Sequence, residues 1–275
     1  MQWQKVLSKM LTFVAIAASG VVLLCVLLYV RQDRLIFYPR ANDAALREHW
    51  KWQRIEITSG EHVLEGWWAD GGSPSSSLVV LYFGGNAEDV LYTARLAARV
   101  PVKRMLVVNY RGYGNSKGRP SQAALYADGL AIYAYAIGAG GAEAEDIVVM
   151  GRSLGSGIAT MLAAERSVRG AILITPYDSI AAVAARHYPA FLVTHLLRHP
   201  FPSVDYAPRA KIPALLLAAA NDSIIPPAHA ETLAKHWAGA RELHVLDGVD
   251  HNSIEQHADY ERLVERFLER LARRP

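Results

Sequence analysis

Residues 148 to 160 read Val-Val-Met-Gly-Arg-Ser-Leu-Gly-Ser-Gly-Ile-Ala-Thr, with the hydroxyl of Ser153 two residues from Gly151 and two from Gly155. G-x-S-x-G arises by chance in about one chain in ten of this length. Its setting is more informative: a β-branched apolar run precedes it and a helix-forming run follows. Glycine weakens both kinds of element. Two glycines at this junction point to a sharp strand-to-helix turn that presents the serine and lets backbones approach closely. The helix N-terminus beside it favours developing negative charge. The plain alternative is a serine capping an ordinary helix. Ser156 is no competitor, because Leu154 and Ile158 flank it.

A serine hydroxyl needs a base to attack a carbonyl. His251 follows the last apolar run and precedes the final helical pattern, whereas His244 falls inside that run and His257 inside the helix. The imidazole in turn needs a carboxylate to fix its tautomer. Asp222 stands at the end of Pro213–Ala219 and its short extension, about thirty residues before His251. Asp178, after the preceding apolar run, is the rival. Asp247 and Asp250 read as turn residues. A tetrahedral oxyanion needs two backbone donors. The expected ones are the amide of Leu154 and that of Asn86, in the Gly84-Gly85-Asn86 loop.

The elements that must hold these residues alternate. Strand-like runs cover 78–83, 104–109, 146–150, 170–175, 213–219 and 241–246. Helical patterns cover 87–99, 121–137, 154–166, 179–187, 228–238 and 255–272. Apolar strands without clean alternation, separated by helices, imply a parallel sheet buried on both faces. Before them, two strands around Ser59-Gly60 form a hairpin, and residues 71–77 form a loop. In such sheets, ligands meet the loops at the carboxyl ends of strands.

The N-terminus is of another kind. From Met10 to Val30 there is no charged residue, a run long enough to cross a bilayer. It exceeds the core of a cleavable signal, and the small-residue triplet Ala15-Ile16-Ala17 lies inside it rather than after it. Leu24 before Cys25 argues against a lipoprotein signal. The expected organisation is a membrane anchor over residues 1–34 and an α/β domain over 35–275, with membrane lipid as the anchor's partner. Lys5 and Lys9 on one side, and Arg31, Arg34 and Arg40 on the other, leave orientation open.

Composition sets bounds. The chain has 275 residues, 52% hydrophobic and 20% charged, with net charge +3. It is no disordered chain, and its charge gives no reason to expect nucleic acid. The arginines Arg270, Arg273 and Arg274 suit a helix C-terminus. One cysteine, Cys25, allows no internal disulfide. His195 and His199 have the i, i+4 spacing of metal ligands but no accompanying acid, so no metal is expected. The Arg111-Gly112-Tyr113-Gly114 loop lacks dinucleotide-binding spacing and reads as a structural turn beside the site. No cofactor is implied.

Taken together, the order Ser153, Asp222, His251 and the motifs at 35–39, 109–121 and 151–157 resemble the α/β-hydrolase superfamily. The likeness is greatest to its single-pass, membrane-anchored abhydrolase-domain proteins and covers roughly residues 50 to 272. The resemblance implies an α/β-hydrolase fold and a serine hydrolase of acyl esters or thioesters. Related alternatives are a serine aminopeptidase and a non-catalytic anchored module. Where the family loop reads His-Gly-Asn-Ala, this chain has Gly84 in the histidine position. The family's cap is inserted near residues 180–211, and here that stretch is short. It leaves an apolar lip of Tyr188, Phe191, Leu192, Leu196, Leu197 and Phe201, expected to suit short to medium acyl chains.

Overall fold

A computed structural model describes residues 2–273; Met1, Arg274 and Pro275 lie outside the described residues. The chain opens with helix α1 (Gln2–Ile36), followed by the short α2 (Ala44–Trp50). At 1.5 Å per residue α1 is about 50 Å long, well beyond the roughly 30 Å of a hydrocarbon core. Among the described residues it is the one helix long and apolar enough to cross a membrane, and no residue of its most apolar window is fully buried.

Eight strands form one sheet: β1 (Gln53–Ser59), β2 (His62–Asp70), β3 (Val79–Phe83), β4 (Arg104–Val108), β5 (Ile147–Arg152), β6 (Gly170–Ile174), β7 (Ala214–Ala219) and β8 (Arg241–Leu246). Their spatial order is β1-β2-β4-β3-β5-β6-β7-β8. β2 runs antiparallel to both β1 and β4, and every other pairing is parallel. The remaining helices are α3 (Val90–Ala94), α4 (Gln122–Ile137), α5 (Leu154–Glu165), α6 (Ile180–Ala184), α7 (Ala190–Leu196), α8 (Ser203–Tyr206), α9 (Pro227–His236) and α10 (Ala258–Ala272).

Successive residues of a strand point to opposite faces, and the central strands feed two cores. Val79, Leu81, Phe83, Ile147 and Val149 join Leu125 and Ile132 of α4, Ile158 and Leu162 of α5 and Leu233 of α9. Val80, Tyr82, Val148 and Met150 join Leu91 of α3 and Val264, Phe267 and Leu271 of α10. Both faces are covered, so these strands carry no polar alternation. That is why their sequences read as continuous apolar runs.

Local signals explain several boundaries. Ser121 and Ser179 accept from the amides three residues on, capping α4 and α6, each cap contributing about 1 kcal/mol. The helical pattern at 87–99 divides into α3 and a tighter turn over Arg95–Arg99. The pattern at 255–272 divides at His257, whose ring accepts from the Asp259 amide and starts α10.

Candidate active site

The turn between β5 and α5 holds Ser153 at φ 49° and ψ −115°, a strained conformation costing about 1–3 kcal/mol for a residue with a side chain. The glycines around it are dictated by space. A Cβ on Gly155 would lie 2.0 Å from the Phe83 carbonyl oxygen, and one on Gly151 would lie 2.3 Å from the Gly155 carbonyl oxygen. At Gly157 the neighbour is a side chain instead, the Tyr177 hydroxyl 2.2 Å from where a Cβ would be, whereas at Gly151 and Gly155 it is backbone. Strand, turn and helix therefore meet backbone to backbone. The serine amide is also fixed, donating to the Ile174 carbonyl at 2.9 Å.

The three residues expected from sequence converge. Ser153 Oγ lies 2.9 Å from His251 Nε2, and His251 Nδ1 lies 2.7 Å from Asp222 Oδ2. All three are buried. Asp222 has its other oxygen occupied by the amides of Ile224 and Ile225, at 2.9 and 2.7 Å. Those two bonds aim the free oxygen at the imidazole. The relay can draw the serine proton onto Nε2 while the carboxylate faces the charge that forms on the ring.

Asp178, the rival acid, lies elsewhere in the network. Its Oδ1 is 2.8 Å from His229 Nδ1 and accepts from the Ser179 amide. Asp250 closes its own turn, accepting from the amides of Asn252 and Ser253 and from the Ser253 hydroxyl. These bonds, led by the Ser253 hydroxyl, hold its carboxyl below the usual carboxylate range.

Leu154 opens α5, so its amide is among the four that a helix leaves without an internal acceptor. The Gly84–Ala87 loop packs on the elbow, since the Gly155 site touches the carbonyls of Phe83 and Gly84. Asn86 has its side chain spent on fixing this loop: Nδ2 donates to the Ile36 carbonyl at 2.5 Å, and Oδ1 accepts from the Tyr38 amide at 2.8 Å. Its backbone amide remains the one the sequence nominates for an oxyanion.

The sequence reading did not assign the groups that brace this loop. Glu88 accepts from the Gly85 amide at 2.6 Å, the Tyr82 hydroxyl at 2.7 Å and the Thr93 hydroxyl at 2.6 Å. Arg152, the residue before the serine, reaches Glu88 at 3.3 Å and donates to the His251 carbonyl at 3.0 Å. Burial, the largest single influence, would lower its pKa; Glu88, Tyr82 and Glu255 together outweigh it and raise the guanidinium's pKa. From the other side the 109–116 turn contributes two phenols. Tyr110 donates to the Gly84 carbonyl at 2.7 Å, and Tyr113 donates to Asn86 Oδ1 at 2.8 Å. Thus the Gly84-Gly85-Asn86 loop is held by side chains from several other segments. The sequence offered only Arg111-Gly112-Tyr113-Gly114 as a turn beside the site, without these contacts.

His195 and His199 do not act together. The His195 ring is bonded within its own helix to the Phe191 carbonyl, and His199 Nε2 lies 2.9 Å from Asp33 Oδ1. Among the described residues no cluster of histidine, cysteine and carboxylates has metal-binding form. Of the expected lip, Phe201 is wholly buried against Phe37, Tyr126 and Tyr177, while Tyr188, Leu192, Leu196 and Leu197 face α1.

A family model described as serine hydrolase matches residues 133–269, which carry all three residues of the relay. The uncharacterized protein Rv2307c of Mycobacterium tuberculosis is 32% identical over 248 residues, spanning 88% of this chain and 87% of that one. Human alpha/beta hydrolase domain-containing protein 17C is 29% identical over 200 residues, covering 71% of this chain and 59% of its own length. A solved esterase of Pyrococcus furiosus superposes with a TM-score of 0.66 at 18% identity, covering 86% of this chain and 97% of that chain; it speaks to the fold alone. The sheet order, the elbow and these relationships agree, and the chain belongs to the α/β-hydrolase superfamily.

Proposed function

We propose that this protein is a membrane-anchored serine hydrolase that cleaves acyl esters or thioesters through an acyl-enzyme. The observation that carries the reading is the continuous relay from Ser153 through His251 to Asp222, at 2.9 and 2.7 Å. Ser153 Oγ attacks the acyl carbonyl as His251 takes its proton. The negative charge on the carbonyl oxygen is met by the amides of Leu154 and Asn86. His251 then protonates the leaving alcohol or thiol. A water molecule, deprotonated by the same nitrogen, attacks the acyl-serine, and collapse releases the acid and restores the hydroxyl. Every proton is carried by His251 and every bond is made or broken at the acyl carbon, so no cofactor enters.

The uncharged run from Met10 to Val30, largely exposed along α1 and with no residue fully buried, supports the anchor. The full-length protein is expected to stay with membranes through alkaline carbonate; release of intact chain into the supernatant would remove the anchor from the reading. The reaction class is tested by comparing p-nitrophenyl esters, acyl thioesters and aminoacyl amides as substrates. Turnover of esters or thioesters with poor amide cleavage is expected. Strong aminoacyl amide hydrolysis with negligible ester turnover would make it an aminopeptidase instead.

A further inference from the structure

Helix α1 does not leave the domain at its C-terminal end. Gln32 is buried there, donating to the Leu196 carbonyl at 3.0 Å and accepting from the Arg198 amide at 2.7 Å. Asp33 pairs with both Arg198 and His199. Between this docked end and the α6–α7 segment lies a half-open cavity of about 280 Å³. Its walls are apolar: Cys25, Leu28 and Tyr29 on one side, Val183, Leu192 and Leu196 on the other. Gln32, at its edge, has both ends of its amide bonded to backbone, so it offers the cavity little polarity.

Two relationships tie the cavity to the chemistry. Its α1 wall ends at Ile36, whose carbonyl accepts from Asn86 in the loop packed on the elbow. Its other wall begins at Ile180, shortly after β6, the strand whose last carbonyl holds the Ser153 amide. One wall of the cavity thus continues into the contact that holds the Asn86 loop, and the other follows the strand that holds the Ser153 amide; none of Ser153, Asp222 and His251 lines it. A third relationship concerns the bilayer. Cys25, Leu28 and Tyr29 belong to the last turns of the uncharged run, so with α1 across a membrane this wall meets the acyl-chain region.

We propose that the cavity binds the tail of one long acyl chain, belonging to a membrane-borne ester or thioester that enters sideways from the bilayer, with α1 as one wall of the site. The inference rests on the acyl hydrolase reading above. It changes the expectation for the lip. With α1 facing them, Leu192 and Leu196 are half of a two-walled site, and chain length should be rewarded beyond what a single thin lip allows.

The test uses full-length protein in phospholipid vesicles and a hexadecyl fluorophosphonate carrying a diazirine near the end of its chain. Ser153 is expected to be labelled, and photolysis to place crosslinks in residues 25–36 and 180–197. Labelled Ser153 with crosslinks elsewhere would overturn the cavity while leaving the hydrolase reading intact. No labelling at Ser153 would end both. Independently, Leu28→Trp and Leu192→Trp fill the cavity from its two walls. Each should lower the ratio of kcat/KM for p-nitrophenyl palmitate over butyrate by about tenfold, because the tail loses buried contact. Leu24→Trp, on an exposed face of α1 outside the cavity, should leave that ratio unchanged. The same ratio in all three variants would overturn the proposal.

Discussion

Arg152 donates from Nη2 to the backbone carbonyl of His251 at 3.0 Å, so the residue before the candidate nucleophile holds the loop that carries its base. The same guanidinium faces Glu88, which in turn binds the Gly85 amide. Elbow, histidine loop and the Gly84–Ala87 loop are thereby joined through one nearly buried cation. For the proposed attack on an acyl carbonyl, their mutual placement must be kept to within fractions of an ångström.

Replacing Arg152 with Met should lower kcat by about tenfold to a hundredfold, since small displacements of a reacting group cost on that scale. KM should change little, because the side chain acts on protein loops rather than on substrate. Arg152→Lys retains the charge without the forked reach and should recover part of the loss. Steady-state kinetics of both variants check this. A rise in KM with kcat intact, or Met and Lys variants that behave alike, would assign Arg152 another role.

Asp222 and Asp178 are separated by one comparison. Asp222→Asn keeps the shape but reverses the tautomer that His251 needs, and kcat should fall by roughly 10⁴-fold. Asp178→Asn weakens the contacts to His229 at 2.8 Å and to the Ser179 amide at 2.7 Å, and activity should stay within about tenfold of the parent, as for an indirect loop contact. Turnover that survives in the first variant and collapses in the second would reverse the assignment.

Stability at low pH should depend on Glu65. Its carboxylate is buried under the 109–116 turn. Burial pushes its pKa upward, but hydrogen bonds from Asn115 and Arg54, with Arg47 nearby, hold it below the ordinary value of 4.5. A carboxyl depressed in the folded state contributes stability above its unfolded pKa and loses it as pH falls through the folded one. Glu65→Gln should therefore be less stable than the parent at pH 7, by roughly 1.5–3 kcal/mol for the lost charge-assisted bonds. The gap should narrow as pH falls below 4.5. Thermal melts of both proteins in detergent across pH read this directly; a gap that does not vary with pH would exclude the carboxylate as its origin.

Much of this arrangement could be read from the chain, for physical reasons that differ by residue. Ser153 and Asp222 announce themselves because each sits just beyond a buried apolar strand, and His251 because it stands in the loop between the last strand and the final helix. Gly151 and Gly155 were legible because nothing larger fits against Phe83 and the elbow backbone. The bracing groups were not. Glu88, Arg152, Tyr110 and Tyr113 are ordinary residues whose role comes from long-range contacts that no local spacing encodes. The same holds for the docking of α1: Gln32 meets Leu196 and Arg198 across 164 and 166 residues of sequence. A pattern of hydropathy could identify α1 as apolar but not that its last turns are part of a wall. The short helices α2, α7 and α8 also escaped, because tertiary contacts rather than periodicity hold elements of 7, 7 and 4 residues.

The most direct measurement is the site of covalent labelling by a fluorophosphonate, read by mass spectrometry on the full-length protein and on Ser153→Ala. A serine activated by His251 should form one adduct, on the peptide containing Ser153, and Ser153→Ala should form none. An intact, folded parent that takes up no probe, or an adduct that persists in Ser153→Ala, would contradict Ser153 as the nucleophile.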